Sequence, residues 1–347
     1  MEVVAGWTHR LIPIDDPSRV GEARRFAAQL AAEAGMDEVQ AGRLALCVTE
    51  LGTNLVRHAK GGRLLLAFRP HAQDVELVAI DDGPGIADLA LALQDGQSSG
   101  STPGTGLGAI RRLASEFDIH SSQLGGTVCV ARVAGKPADR VPGSDPAQAP
   151  AFEFGAIAIT APGEQVSGDG WMLVRHDAQW RLLVADGLGH GPEAAKAAQA
   201  ATEAFSRLAP AAGPAPVGDW VQRVHAALQG TRGAAVCIAA LDAGAAGLAY
   251  AGAGNVVGRV VSGVYDRSIA TQHGTAGLQI RRPEVTQLAL PEHALLVLHS
   301  DGIDTRWNAD RIRGALRLDP VLVAALLLRD HSRQRDDATI VVLRRKD

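Results

Sequence analysis

Four aspartate motifs in the second half of the chain have the residue types of a metal site. Asp169, Asp186 and Asp301 are each followed by glycine, Asp336 is followed by a second aspartate, and all four lie beside apolar, strand-like runs. Carboxylates next to bare backbone supply the oxygen ligands that hard divalent cations prefer. One Asp-Gly pair is more simply a turn, and four unrelated turn aspartates are the plain alternative. Four of them at the ends of predicted strands favour a polynuclear acidic metal site.

The order and the residues of these motifs resemble the SpoIIE branch of the metal-dependent PPM Ser/Thr protein phosphatases. Within that branch they are most similar to the RsbX type, and the resemblance covers roughly residues 152–345. The resemblance implies two Mn²⁺ or Mg²⁺ ions, bridged by Asp186 with help from the Gly187 carbonyl. It implies three further ligands, which are Asp169, Asp301 and Asp336. Asp337, where relatives often carry asparagine, is given a lesser role. Two such metals activate a shared water for in-line attack, so no protein nucleophile is needed.

Other polar residues near these motifs leave alternatives open. His190 follows Asp186 in a glycine-rich turn, where it is either a proton donor or a cap of the next helix. Arg232 lies in a turn similar to one of the RsbX type, where it either contacts phosphate or is an ordinary solvated loop arginine. Three histidines show no metal-ligand spacing and are predicted to be structural, namely His273, His293 and His299.

The first half of the chain contains a helix with one polar row. The sequence from Asp37 predicts a capped helix that ends near Ala59. Glu50, Asn54 and His58 follow one another on it at intervals of four, so they lie in one row beside an apolar stripe. Such a row is either a solvated helix edge or the wall of a cleft.

Two glycine-rich motifs favour the cleft. The strand-like run 75–80 ends at Asp81, which is followed by Gly83 and Gly85. Alternate glycines then lead into a helix predicted to end near residue 116, and these are Gly104, Gly106 and Gly108. Glycines at a helix N-terminus present backbone N–H groups to phosphates. The motif is neither a dinucleotide fingerprint, because no strand directly precedes it, nor a P-loop, because it lacks the Lys-Ser/Thr end.

Taken in order, these motifs resemble the GHKL ATPases over about residues 8–133, and within them the RsbT, RsbW and SpoIIAB group of small Ser/Thr kinases. The residues of the last glycine motif are more similar to the RsbT type than to the RsbW type. The resemblance implies ATP with Mg²⁺, with Asn54 as the magnesium ligand, Glu50 as the base and Asp81 as the acceptor from adenine. It gives backbone roles to the glycines, which are Gly83 and Gly85 beside the base and Gly104, Gly106 and Gly108 in a phosphate lid.

A proline-rich stretch divides the chain. Residues 135–150 contain four prolines, which forbid a helix or a central strand. We therefore predict a first domain over residues 1–134, a linker over 135–151 and a second domain over 152–347. The resemblances imply an α/β (α+β) fold class, with a two-layer α/β sandwich of GHKL (Bergerat) type followed by a four-layer αββα sandwich of PPM type.

Composition narrows the class of protein. A chain of 347 residues suits two domains better than one. The net charge of −4 gives no basic footprint for nucleic acid. No apolar run is long enough for a membrane span, and the first residues lack a signal-peptide layout. The three cysteines stand singly in apolar runs, which predicts buried thiols in a cytoplasmic protein.

These features together predict a bifunctional regulator of stress signalling by partner switching. A kinase half and a metal-dependent phosphatase half would act on a STAS-domain protein of the RsbS or RsbR type, with a stressosome or a sigma factor as a further partner. One alternative is an RsbW-like anti-sigma factor fused to a phosphatase that resets an anti-anti-sigma protein. Another makes the first half a non-catalytic ATP-binding module that targets the phosphatase, although the intact Glu50, Asn54 and Asp81 argue against it.

Overall fold

A short strand at the start of the chain belongs to the second half of the protein. The computed structural model describes residues 2–94, 106–123, 125–135, 151–176, 178–208, 216–242, 244 and 247–346. The chain forms two compact units, residues 9–148 and residues 1–8 with 149–347. The prediction that the first domain starts at residue 1 is therefore corrected, because strand β1 (Glu2–Ala5) pairs with a strand of the second unit. The proline-rich segment, beyond its two end residues, lies outside the described residues.

The first unit is a two-layer α/β sandwich, as predicted. Its elements are β2 (Arg10–Pro13), α1 (Pro17–Glu33), α2 (Glu38–His58), β3 (Arg63–Arg69), β4 (Asp74–Asp81), α3 (Leu89–Ala92), α4 (Leu107–Leu113), β5 (Glu116–Ser121) and β6 (Thr127–Ala134). The strands form one antiparallel sheet in the order β2-β3-β4-β6-β5. Helices α1 and α2 pack against each other and against this sheet, and the apolar stripe of α2 is buried there.

Local signals explain where the helices begin. Helix α2 starts with a capping box, in which the Asp37 carboxylate accepts from the N–H of Gln40 and the Gln40 side chain accepts from the N–H of Asp37. The end of α4 differs from its prediction, because the helix stops at Leu113 and Glu116 already begins β5. Residues 116–121 pair with β6, so tertiary pairing overrides the helical signal there.

Over its described residues, the second unit contains two large sheets, a two-stranded sheet of β14 and β15, and three α-helices. Its further elements are β7 (Phe152–Ile159), β8 (Asp169–His176), β9 (Gln179–Gly187), α5 (Pro192–Leu208), α6 (Val217–Ala227), β10 (Ala234–Asp242), β11 (Gly247–Ala253), β12 (Val257–Val261), β13 (Asp266–Ile269), β14 (Gly274–Thr275), β15 (Gln279–Ile280), β16 (Thr286–Ala289), β17 (Leu295–His299), α7 (Pro320–His331) and β18 (Ala338–Arg345). One sheet has the order β1-β8-β9-β10-β11-β16 and the other β13-β12-β17-β18-β7.

The four layers of this unit are helix, sheet, sheet and helix, as predicted. Helices α5 and α6 pack on the six-stranded sheet, and α7 packs on β7 and β18 of the other sheet. The inner faces of the sheets meet through aromatic rings. The ring centroid of Phe154 on β7 lies 6.4 Å from those of both Trp171 on β8 and Trp180 on β9. On the outer face, a Cβ at Gly155 would lie 2.3 Å from the backbone nitrogen of Val321, so glycine lets α7 approach β7 closely.

Two predictions from composition concern the whole chain. The thiols of Cys47, Cys129 and Cys237 are buried, as predicted, and burial raises the pKa of each to about 12. Among the described residues, no helix combines the length and the apolar character that crossing a membrane requires.

Candidate functional sites

Two aspartates face each other on neighbouring strands of the second unit. Asp169 is the first residue of β8, and Asp186 lies near the end of β9. They are directly paired in the antiparallel register, so both carboxylates leave the same face of the sheet. Burial, reinforced by neighbouring carboxylates, raises the pKa of Asp169 to about 7 and that of Asp186 to about 9. Strand pairing thus places two acids in a space that disfavours their charged forms.

Two more aspartates reach this point from the facing sheet. Asp301 follows β17 and Asp336 precedes β18. The backbone N–H of Asp301 donates to the Asp186 carboxylate, and the charges of Asp301 and Asp336 both raise the pKa of Asp186. Burial and then Asp336 raise the pKa of Asp301, against a lowering effect of Arg333. The four predicted ligands therefore form one acidic cluster at one end of the sandwich.

The chemistry of this cluster fits a divalent cation. Burial and mutual repulsion disfavour the ionised forms of Asp169, Asp186 and Asp301. A cation among these carboxylates would reverse both effects on the pKa. Within the described ranges, no three Asp, Glu, His or Cys side chains are already as close as the ligands of one bound ion. The acidic cluster is therefore not gathered around a single point. The ligand roles predicted for it remain predictions, namely those of Asp169, Asp186, Gly187, Asp301 and Asp336.

Asp337 has a structural position that distinguishes it from Asp336. Its side chain is buried, and its two oxygens accept from the backbone N–H groups of Ala161 and Gly168, each at 2.8 Å. It thereby holds both ends of the loop that leads from β7 to Asp169. The prediction of a lesser role for Asp337 did not include these contacts, because both hydrogen-bond donors are remote in the chain.

Two residues that hold the acidic cluster were missed in the sequence. The Ser300 hydroxyl donates to Asp169 at 2.6 Å and accepts from the N–H of Thr339. The Asn255 amide donates to Asp301 at 2.6 Å. Ser300 directly precedes Asp301, which was a usable signal, whereas Asn255 stands in an ordinary Gly-Asn turn after β11. Both orient carboxylates as the supporting groups of a metal site do.

His190 lies on the loop that follows Asp186, and Arg232 lies next to this loop, in the turn that precedes β10. The His190 ring is exposed, and its Nδ1 lies 2.6 Å from a carboxylate oxygen of Glu164. A Cβ at Gly189 would lie 3.3 Å from the Arg232 guanidinium, so Arg232 borders the backbone of this loop. His299, in contrast, is buried and hydrogen-bonds the Ser300 carbonyl and the Trp307 indole. Burial lowers the pKa of His299 to about 4, so the neutral ring has a structural position.

In the first unit, the polar row lies on α2. Glu50 and Asn54 are half-buried, whereas His58 is exposed at the end of the helix. Burial raises the pKa of Glu50, against a smaller lowering by Arg57. Asp81 ends β4, and its carboxylate accepts from the N–H of Gly83 at 2.7 Å. Glu50 and Asp81 thus lie on different elements of one unit, and their roles as base and adenine acceptor stay predictions.

The glycines of the two predicted motifs occupy different kinds of position in the first unit. Gly85 has a φ of +75°, and a Cβ there would lie 2.2 Å from the Ser122 carbonyl oxygen. Gly106 is the N-cap of α4, and Gly108 is buried inside that helix, which packs against α2. Gly108 is therefore helical, and its predicted role in the phosphate lid stays a prediction. Gly104 and most of the predicted lid lie outside the described residues.

Comparisons with known proteins agree with the division into two halves. Residues 15–132 match the histidine kinase-like ATPase domain family, and residues 176–346 match the stage II sporulation protein E (SpoIIE) family. The serine/threonine-protein kinase RsbT of Bacillus subtilis (strain 168) is 32% identical over 108 residues, which are 30% of this chain and 80% of RsbT. The chain therefore belongs to the RsbT-like histidine kinase-type ATPases in its first half, joined to a phosphatase domain of the SpoIIE (PPM) family.

Two similar solved structures each cover 56% of the chain. A protein from a study of the bacterial stressosome as a modular system adapted to control secondary messenger signalling is 27% identical, with a TM-score of 0.51 and 99% of that chain covered. RsbX in complex with magnesium is 20% identical, with a TM-score of 0.49 and 96% of that chain covered. The predicted order of a kinase-type ATPase domain followed by a SpoIIE-type domain is thus confirmed by the family matches, and the partner-switching function stays a prediction.

Proposed function

We propose that the protein is a bifunctional regulator that adds phosphate to a Ser or Thr residue of a STAS-domain protein and removes it again. The observation that carries the proposal is the acidic cluster, which gathers four carboxylates from two facing sheets and disfavours the charged forms of Asp169, Asp186 and Asp301. Its counterpart in the first unit is the pair Glu50 and Asn54 on α2. Similarity to RsbT and to a stressosome-associated protein supports an RsbS- or RsbR-type substrate.

The cluster would hold two Mn²⁺ or Mg²⁺ ions through Asp169, Asp186, the Gly187 carbonyl, Asp301 and Asp336. When bound, these ions would lower the pKa of a shared water and neutralise the phosphoryl oxygens during in-line attack. Ser300 and Asn255 fix the carboxylates of Asp169 and Asp301 through their hydrogen bonds. His190, whose Nδ1 is held by Glu164, would donate a proton to the leaving Ser or Thr oxygen, which thereby becomes the free hydroxyl, and Arg232 would contact the phosphate.

In the first unit, Glu50 would take the proton from the substrate hydroxyl. Its raised pKa brings the carboxylate closer to the working pH of a general base. ATP with Mg²⁺ would supply the phosphoryl group, with Asn54 as a magnesium ligand and Asp81 as the acceptor from adenine. The tether between the two units brings a substrate held by one half to the other at a raised effective concentration.

Two variants on one helix test the kinase half. Glu50→Gln should bind ATP like the wild type and lose phosphotransfer from labelled ATP to an RsbS- or RsbR-type protein. Asn54→Ala should lose magnesium-dependent ATP binding. Glu38→Gln, on the same helix but exposed in its first turn, is the matched control and should behave like the wild type. Normal transfer by Glu50→Gln would exclude Glu50 as the base, and ATP binding without any transfer by the wild type would make the first half a targeting module.

A further inference from the structure

The phosphatase half takes its outermost strand from the start of the chain. Strand β1 pairs antiparallel with β8, from Glu2 opposite Arg175 to Ala5 opposite Met172. The N–H of Gly6 continues this ladder to the Trp171 carbonyl at 3.0 Å. Since β9 occupies the other side of β8, these first residues form the edge of the six-stranded sheet.

The segment ends in an aromatic anchor. The Trp7 ring is 7% exposed and meets Trp171 edge-on, with 4.7 Å between the ring centroids. It also lies 6.3 Å from Phe154 of the facing sheet. A Cβ at Gly6 would lie 2.5 Å from the Trp171 carbonyl oxygen, so only glycine allows this approach without a shift. Trp7 therefore contacts both sheets of the sandwich.

This anchor lies on the strand that carries a predicted metal ligand. Asp169 and Trp171 are two residues apart on β8, so their side chains leave the same face of the sheet. Asp169 is the first residue of the strand, and the ladder from β1 stops at Trp171. The position of the Asp169 carboxylate consequently depends on how firmly β8 is held at Trp171.

We propose that Trp7 is a positioning residue for the metal site, acting through Trp171 and β8 on Asp169. The inference rests on the proposed phosphatase function. It makes metal affinity depend on a segment that precedes the kinase half in the chain. Only Thr8 separates Trp7 from His9, the first residue of the other unit, where Nε2 of His9 lies 3.0 Å from the buried Glu76.

Calorimetric titration of the full chain with Mn²⁺ tests this inference. Trp7→Ala should weaken Mn²⁺ binding by about tenfold, the lower end of the effect of altering groups that orient metal ligands. Trp7→Phe keeps an aromatic anchor and should bind Mn²⁺ within about twofold of the wild type. Val3→Ser and Thr8→Ala change exposed positions of the same segment and should leave the affinity unchanged. All titrations are done well below the unfolding temperature of each variant.

A structural role alone gives a different pattern. All five tryptophans belong to the second unit, so the four that remain in Trp7→Ala report its unfolding by fluorescence. A lower melting temperature with unchanged Mn²⁺ affinity would overturn the inference, and so would equal weakening in Thr8→Ala. Absence of Mn²⁺ binding by the wild-type chain would instead contradict the proposed phosphatase function.

Discussion

Asp186 carries a conflict between stability and function. It lies among three other aspartates, and burial and their charges raise its pKa from the ordinary 3.8 to about 9. A carboxyl with a raised pKa in the folded state binds its proton more tightly there than in the unfolded chain. Without a cation, its ionisation therefore weakens the fold, and this loss grows as the pH rises from about 4 to about 9.

Asp186→Asn should accordingly stabilise the metal-free second unit. The neutral amide avoids the buried charge, so the melting temperature in EDTA should rise above that of the wild type at pH 8. The rise should be much smaller near pH 4, where the wild-type carboxyl is protonated in the folded state and about half protonated in the unfolded chain. Tryptophan fluorescence measures this unfolding, because every tryptophan lies in the second unit. A melting temperature below that of the wild type at pH 8 would contradict the conclusion that the ionised Asp186 carboxylate destabilises the metal-free fold.

The same substitution at the neighbours Asp336 and Asp337 should affect different properties, metal affinity at Asp336 and stability at Asp337. Asp337→Ala leaves two backbone N–H groups without their acceptor, and it should destabilise the metal-free second unit by about 2–4 kcal/mol. Asp336→Ala should change that stability little and weaken Mn²⁺ binding. Urea unfolding followed by tryptophan fluorescence gives the first quantity, and titration with Mn²⁺ gives the second. Equal destabilisation by both variants would show that the two roles are not separated.

At the residue scale, the sequence revealed acids better than the groups that hold them. Asp-Gly pairs at the ends of apolar runs pointed to Asp169, Asp186 and Asp301, because glycine and carboxylate leave a local signal. The structural position of Asp337 and the support from Asn255 have no such signal, since their partners lie far away in the chain. Such contacts require the three-dimensional pairing of strands.

Helix α2, which carries the candidate kinase residues, contains two glycines in different surroundings. Gly42 is exposed, and a Cβ there would meet nothing within 4 Å. Gly52 is buried, and a Cβ there would lie 2.9 Å from both methyl carbons of Val20 on α1. The first position tolerates a side chain, whereas the second sets the distance between α1 and α2.

Gly42→Ala should stabilise α2 by about 0.5–1 kcal/mol, because alanine restricts the unfolded chain more than glycine does. Gly52→Ala should destabilise it, since the stiff Val20 side chain must shift in a packed interface. Hydrogen exchange of peptides from residues 38–58, read by mass spectrometry, measures both effects. Slower exchange in Gly52→Ala would mean that α1 and α2 separate at little cost.

At the element scale, prediction succeeded where the local signals were strong. The capping signal at Asp37 marks a helix start that the structure confirms. The strand over 116–121 was missed because it forms through pairing with β6. Strand β1 was missed for the same reason, since its partner β8 follows more than 160 residues later.

For the whole molecule, the proposed function joins opposite activities in one chain. A kinase half and a phosphatase half that share a substrate would only consume ATP if both were active at once, so some signal must bias the balance. Fusion also permits a simpler arrangement, in which each half has its own STAS target. The two arrangements differ in whether one residue of the substrate both gains and loses phosphate.

Mapping phosphosites by mass spectrometry tests the central claim most directly. The full chain and its Asp186→Asn and Glu50→Gln variants are incubated with ATP, Mg²⁺, Mn²⁺ and an RsbS- or RsbR-type STAS protein. One Ser or Thr should accumulate phosphate with Asp186→Asn, stay largely unmodified with the wild type, and lose phosphate when a premodified substrate meets Glu50→Gln. If the residue that the first half modifies is never one that the second half clears, the claim of a single phosphorylation cycle is wrong.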